Sequence, residues 1–554
     1  MSEASDKKPC LVKTSQGFSV QYKERLLYSK YNPQKNILSL VDSLEIPEGT
    51  VILCLSPVLC YGLEKLLAKM PENCLLICAE SDKNLYSLFC NNLKNMHFCN
   101  KKLIAVKPEK LDTLPEYLSI NNRGRFRRCI KIDFSGGAEI NRAFYENLYE
   151  ACQNAIGQFW KNRVTLIKFG RRYSANFLRN LQLLSKSIKN VKTDQPILVT
   201  GAGESALETL CMLKPYAEYF FIIAVDAALP TLKSLNIRPN AVVCEESQDI
   251  IADAFTGCRN WYDYLFAGLS TNPNVTRLCP QKNVFHTTEF CSAGFIDRAK
   301  KEGILPDFMP PLGSVGLVAV QTALNIRASE AIPVFVTGMD FSYSRGCTHL
   351  KDSLHERMRR IYEFRLNKGK AFAGSFGSNS IIADSELYKV SYDKNELITT
   401  ASLMGYAKLF NYVFKGTPNL FDAGLRGIKL ELPALNPITI IKSLKPNKAS
   451  IRQEKFFCDN ETLGKKKSTP NYDTESKIHN FIYGEITALK ELKDIFTGKI
   501  TLSENEKKSR ITELLESREY LYLHFPDGYQ LNLTQPFLNR IRIEIEYFLK
   551  ILKK

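Results

Sequence analysis

The sequence predicts an α/β protein with a doubly wound central domain, an α/β amino-terminal domain and a mainly helical carboxy-terminal domain. Three observations carry this reading. Short apolar runs alternate with helical patterns in the first third and again in the centre of the chain, as parallel βαβ units require. One such run, Ile197 to Thr200, enters a Gly-x-Gly turn that a helical pattern follows at once. Beyond about residue 435 the apolar runs stop and helical spacing takes over.

A chain of 554 residues exceeds what one hydrophobic core accommodates, so two or three domains are expected. The composition shifts place them at 1–192, 193–435 and 477–554, with 436–476 a polar, basic, proline-bearing linker or surface excursion. With 44% hydrophobic and 24% charged residues the composition is that of a globular chain, which excludes global disorder. The sixteen cysteines form no CxxC pair, so neither a disulfide framework nor a zinc ribbon is expected. The polar start MSEASDKKPCLVK lacks a signal-peptide pattern, and no apolar run reaches the roughly 20 residues that span a bilayer. A cytoplasmic protein without a transmembrane segment is expected. The net charge of +17 accompanies no nucleic-acid-reading motif, so it is assigned to a solvated surface and not to a nucleic-acid partner.

In the first third, Val51 to Leu55 and Cys74 to Cys78 read as buried strands, with helices over Tyr61 to Lys69 and Asp82 to Leu93. Glu80 stands where a carboxylate can meet a ribose hydroxyl, but the turn before it, around Ser56 and Pro57, has no glycine to admit a phosphate. This domain is therefore read as supporting. Helical patterns follow over Ile140 to Trp160 and Arg172 to Ile188, with a short strand, Thr165 to Phe169, between them. After a break at Thr193 to Pro196, strands are expected at Ile197 to Thr200, Phe220 to Val225, Ala241 to Cys244, Tyr264 to Leu269, Asn283 to His286 and Pro333 to Thr337. The last part reads as helices over Ile478 to Phe496, Glu504 to Tyr520 and Gln535 to Lys554.

Three segments carry candidate chemistry. In Thr200-Gly201-Ala202-Gly203-Glu204-Ser205-Ala206, Gly201 and Gly203 either make a tight βα turn or bring backbone N–H groups to an anion at the helix start, with Ser205 donating to the same anion. Glu204 is taken to face outward, and Asp226, which ends the next strand, to accept from ribose or base. In Pro311-Leu312-Gly313-Ser314-Val315-Gly316, Gly313 and Ser314 precede an apolar helix and offer a second seat for phosphate. The third, Gly338 to His349, follows a strand and supplies Asp340, Tyr343, Arg345, Thr348 and His349. His349 is the side chain there best matched to proton transfer near neutral pH. No carboxylate pair in this domain demands a metal, and none is expected.

Taken in order, GAGES, AVDAALPTLKSLNIRPNAVVCEE, PLGSVG and VFVTGMDFSYSRGCTH resemble the central domain of the motility-associated factor family. The same segments resemble bacterial sialyltransferases and the 6-hydroxymethylpterin pyrophosphokinase-like (MptE-like) domain. The resemblance covers about residues 195–415 and implies a Rossmann-like, nucleotide-sugar-binding domain. It implies a glycosyltransferase that moves a nonulosonic acid of the pseudaminic or legionaminic type from its CMP-activated form to Ser or Thr of flagellin. On this resemblance Gly201, Gly203, Ser205, Gly313 and Ser314 would hold the nucleotide. Asp340 would shape the site, Tyr343 would contact phosphate, and His349 would be the base. The CMP-activated sugar would be the donor substrate, with no cofactor required. The sequence departs from the family pattern at Glu204, at Asn240 and at Glu245 with Glu246. Alternative readings are a pterin-type diphosphokinase, an NAD(P)-dependent oxidoreductase, and a non-catalytic nucleotide-binding partner protein.

Overall fold

The computed structural model describes residues 8–95, 102–122, 124–291, 293–344, 347–361, 387–392, 395–443 and 472–553. Most of the segment read as a basic linker, and Arg345 of the candidate site, lie outside the described residues. By compactness the chain divides into two units, 1–169 with 523–532, and 170–522 with 533–554; the sequence reading set its boundaries at 192 and 435.

The first unit opens with a three-stranded antiparallel sheet, β1 (Cys10–Thr14), β2 (Gly17–Tyr22) and β3 (Arg25–Leu26). A parallel sheet follows, from β4 (Thr50–Leu55), β5 (Leu75–Ala79), β6 (Leu103–Val106) and β7 (Arg128–Asp133), in the order β6-β5-β4-β7. Every residue of β4 is buried, because side chains alternate between two covered faces. Val51, Leu53 and Leu55 join one apolar cluster, and Ile52 and Cys54 join the other. At the ends of β4 and β5, Glu80 is buried and accepts from Ser56 Oγ, the Tyr145 hydroxyl and the Asp82 N–H. This supports the reading of Glu80 as structural, since its oxygens are satisfied within the unit.

The expected strand Thr165 to Phe169 is not formed. One helix, Arg142–Leu181, runs through it. No proline interrupts these 40 residues, and the five-residue stretch TLIKF is too short to override helical neighbours on both sides. In the helix Val164 and Ile167 are exposed, while Arg163 is buried and donates to the Leu523 and Phe525 carbonyls.

The second unit is built on seven parallel strands: β8 (Ile197–Thr200), β9 (Phe221–Val225), β10 (Ala241–Cys244), β11 (Tyr264–Gly268), β12 (Asn283–His286), β13 (Val334–Thr337) and β16 (Leu420–Asp422). An antiparallel hairpin, β14 (Leu387–Tyr392) with β15 (Asn395–Thr400), lies between β13 and β16 in sequence. The sheet order is β12-β11-β10-β9-β8-β13-β16. Successive strands from β8 to β12 build outward on one side, and the chain then returns to place β13 on the other side of β8. The β8/β13 boundary is thus the topological switch point, where a doubly wound sheet opens a crevice beyond its carboxyl ends. The apolar helix Val315–Ile326 covers the central strands, and its Leu317, Val318, Val320 and Ala323 belong to the main core.

The carboxy-terminal helices Tyr472–Phe496, Glu504–Glu516 and Gln535–Leu552 belong to this unit. They are fixed by a buried carboxylate. Glu485 receives Arg298 at 2.7 Å, Arg518 at 3.1 Å and the Tyr520 hydroxyl at 2.7 Å. No helix among the described residues is long and apolar enough to cross a membrane.

Candidate active site at the switch point

Thr200 and Thr337 end β8 and β13 and pair across the switch point. The turn after β8 presses against the turn after β13. Gly201 N–H donates to Thr337 O at 2.8 Å and Gly203 N–H to Gly338 O at 2.9 Å. A Cβ on Gly201 would fall 2.3 Å from Gly338 O, and one on Gly203 2.6 Å from Asp340 Cγ. Both glycines are therefore demanded by close approach. Ser205 N–H donates to Asp340 Oδ2 at 2.8 Å, and Ser205 Oγ donates to Oδ1. The anion at the start of the helix Ala206–Leu213 is thus the protein's own Asp340, a carboxylate well placed against the helix dipole. This differs from the expectation that Gly201, Gly203 and Ser205 present their donors to a bound nucleotide, because Thr337, Gly338 and Asp340 already accept from them.

Asp340 is buried, and burial raises its carboxyl to about 6 against the opposing pull of the two Ser205 bonds. Arg426 adds to that opposing pull, and Glu204 acts with burial to raise it. The next residue, Phe341, has φ 48°, a left-handed conformation unfavourable for an aromatic residue and a mark of local strain. Glu204 does not face outward as expected. Its carboxylate accepts from the Ser344 N–H at 3.2 Å and pairs with Arg426 at 3.5 Å. Arg426 was not legible as a site residue in the sequence; it follows β16 in a glycine-bearing turn, and only the fold brings it to Glu204.

The second glycine turn meets the first through Met339. Its Sδ would lie 2.6 Å from a Cβ on Gly316 and 3.0 Å from one on Gly201. Gly313 has φ +69°, and Ser314 precedes the helix in an extended conformation without a side-chain capping bond. The first helical bond there runs from Val318 N–H to Ser314 O, so the N–H groups of Val315, Gly316 and Leu317 have no acceptor within the helix. This helix start keeps the character expected of an anion seat. Tyr406 flanks it, with Cε1 3.3 Å from where a Gly313 Cβ would be.

In the loop after β13, Tyr343 is buried and its main chain exchanges two hydrogen bonds with Ile398, both 2.9 Å. Thr348 Oγ1 lies 3.1 Å from His349 Nδ1, and the His349 ring stacks on His355 at 3.9 Å with an interplanar angle of 5°. Burial lowers His349 to about 4, with Glu356 opposing, so the imidazole is neutral at pH 7. Leu350 N–H donates to Ala202 O at 2.9 Å, tying this loop to the first glycine turn. His355 and Glu356 were not anticipated, because they begin the following helix, Leu354–Ile361.

Asp226 belongs to a different group. It is buried at the end of β9, accepts from Ala227 N–H at 2.7 Å and from the Cys244 thiol, and is raised to about 7 by burial, then by Glu246 and Glu245. Glu245 is engaged by His286 at 2.7 Å and by the Gly268 N–H at 3.1 Å. The helix after Asp226 reaches the His349 loop through Thr231 Oγ1, which donates to Lys351 O at 2.7 Å.

The fold defines a doubly wound, Rossmann-like α/β protein with a candidate site at its switch point. Residues 173–346 match the model of the 6-hydroxymethylpterin diphosphokinase MptE-like family. The chain is 30% identical over 560 residues to an uncharacterized protein of Treponema pallidum (strain Nichols), covering 99% of this chain and 95% of that protein. It shares its fold with the structure of the MAf glycosyltransferase from Magnetospirillum magneticum AMB-1, at a TM-score of 0.55 and 11% identity, over 99% of this chain and 92% of that one. The chain belongs to one family with that Treponema pallidum protein, carries an MptE-like domain at its centre, and has the fold of the MAf glycosyltransferase.

Proposed function

We propose that the protein is a glycosyltransferase that moves a nonulosonic acid, of the pseudaminic or legionaminic type, from its CMP-activated form to Ser or Thr of flagellin or a similar protein acceptor in the cytoplasm. The observation that carries this reading is the convergence, at one switch point, of an open helix start and a histidine loop tied to the adjoining turn. The match to the MptE-like family over residues 173–346 and the fold shared with a glycosyltransferase support it.

The reaction is a displacement at the anomeric carbon. The acceptor oxygen forms the new bond, the bond to the CMP phosphate oxygen breaks, and the acceptor proton passes to His349, where burial disfavours the imidazolium and the Glu356 carboxylate opposes that effect. The N–H groups of Val315, Gly316 and Leu317 and the Ser314 hydroxyl stabilise the departing phosphate. Asp340 holds the first turn in place from within, so its part is positioning. Thr348 flanks the base, Tyr343 is the phosphate contact that the resemblance implies, and Asp226 braces the adjoining strand ends. No cofactor enters this mechanism. The test is incubation with the CMP-activated sugar and flagellin, read by intact mass. Transfer supports the reading, and release of free sugar without transfer contradicts it.

The family description favours a second reading, diphosphate transfer to a pterin alcohol. That chemistry asks for carboxylates free to hold magnesium. The candidates are Asp226, whose carboxyl is buried and raised to about 7, with Glu245, which is engaged by His286, or Glu246, which accepts from the Gln248 N–H at 2.9 Å. All three have protein partners, which ranks this reading second.

A further inference from the structure

Two donors from different loops converge on one carboxylate. The Ser344 N–H, from the loop after β13, lies 3.2 Å from Glu204 Oε2, and Arg426 Nη1, from the turn after β16, lies 3.5 Å from Oε1. Both distances are long for charge-assisted bonds, in contrast to the 2.8 Å bond from Ser205 N–H to Asp340 beside them. The side chains of Glu204 and Arg426 are 22% and 33% exposed, so water reaches the pair and separating it costs little. Glu204 and Asp340 place two carboxylates beside one guanidinium, and Glu204 acts on Asp340 in the opposite sense to Arg426. A backbone N–H next to a guanidinium is a donor set suited to an oxyanion. The position of Arg426 is set by its neighbours. Gly427 has φ +125°, a Cβ on it would fall 2.6 Å from Asp340 Cα, and Ile428 N–H donates to Asp340 O at 2.8 Å.

We propose that the Ser344 N–H and the Arg426 guanidinium form an oxyanion subsite, which the Glu204 carboxylate occupies until the phosphate or carboxylate of an acidic substrate displaces it. The inference deepens the transferase reading and rests on it for the choice of ligands. Glu204 thereby acts as an internal competitor. It keeps the guanidinium partnered when the crevice is empty and lowers the affinity for weakly held anions.

The test is calorimetric titration of the full chain and its Glu204→Gln and Arg426→Gln variants. The probes are CMP against cytidine, N-acetylneuraminate against its methyl ester, and inorganic phosphate. Glu204→Gln keeps the side-chain shape while removing the competing charge, and should tighten an anionic probe about fivefold, the equivalent of roughly 1 kcal/mol. Arg426→Gln should weaken the same probe by a similar factor, and cytidine and the methyl ester should respond to neither change. An effect on CMP identifies the group as phosphate, and an effect on N-acetylneuraminate identifies it as carboxylate. A gain of affinity in Glu204→Gln cannot arise from misfolding, so the subsite is tested even if Arg426→Gln is unstable. If CMP binds the parent and Glu204→Gln equally, and the other anions do too, the subsite is overturned while the nucleotide reading stands. If phosphate alone responds as expected and neither CMP nor N-acetylneuraminate binds, the subsite stands and the transferase reading fails. If no anion binds any form, both are overturned.

Discussion

Ser205 donates both its backbone N–H, at 2.8 Å, and its hydroxyl to the carboxylate of Asp340, 135 positions further along the chain. This pair closes the switch point, because it joins the turn that leaves β8 to the loop that leaves β13. Replacing Asp340 by alanine strands both donors in a buried place, at a cost of about 1–3 kcal/mol. Urea unfolding should show that loss for Asp340→Ala. Asp340→Asn, which keeps an acceptor oxygen, should lose less.

Gly203 and Gly484 should respond to alanine with opposite signs. A Cβ on Gly203 would meet Asp340 Cγ at 2.6 Å and Gly338 O at 2.7 Å, so Gly203→Ala should destabilise by about 1–3 kcal/mol. Gly484 lies in the helix Tyr472–Phe496 with nothing within 4 Å of such an atom. Gly484→Ala should therefore stabilise by about 0.5–1 kcal/mol. Thermal melts of the two variants check the pair.

Much of the central sheet was legible because its strands are short apolar runs and its switch-point turns announce themselves by Gly-x-Gly and Leu-Gly-Ser. The strands of β6 and β7 were not. Leu103–Val106 is four residues after a lysine pair, and Arg128–Asp133 mixes Lys131 into its alternation, so neither period stands out. Side-chain commitments were also illegible. Glu204 and Arg426 lie 222 positions apart, and nothing in the spacing of either shows that they meet. The same holds for Ser205, whose hydroxyl reads as free until Asp340 is placed beside it. The stretch Thr165 to Phe169 shows the converse, a short segment that reads as a strand until an uninterrupted helix absorbs it.

The pH dependence of stability should carry the mark of Asp226. Its folded pKa of about 7 lies above the ordinary aspartate value of about 4, so the native state holds this proton more tightly than the unfolded chain does. Its contribution is fully present below about pH 4 and is lost as pH rises towards 7. Asp226→Asn should flatten that decline, and urea midpoints measured from pH 4 to 8 for both proteins compare the slopes.

Glu485 should be the most sensitive position of the carboxy-terminal helices. Removing it leaves Arg298, Arg518 and the Tyr520 hydroxyl without their shared acceptor. Glu485→Leu should cost about 3–5 kcal/mol, because it leaves buried charge uncompensated. A calorimetric melt well below that of the parent is expected.

In the proposed function the activated sugar sits at the β8/β13 switch point. Amide hydrogen exchange with and without the CMP-activated nonulosonic acid tests it most directly. Slowed exchange is expected in residues 313–318, 338–344 and 347–350, with the strand ends of β4 and β5 in the first unit unchanged. Protection around Ser56 and Glu80 with none at 313–318 would contradict it.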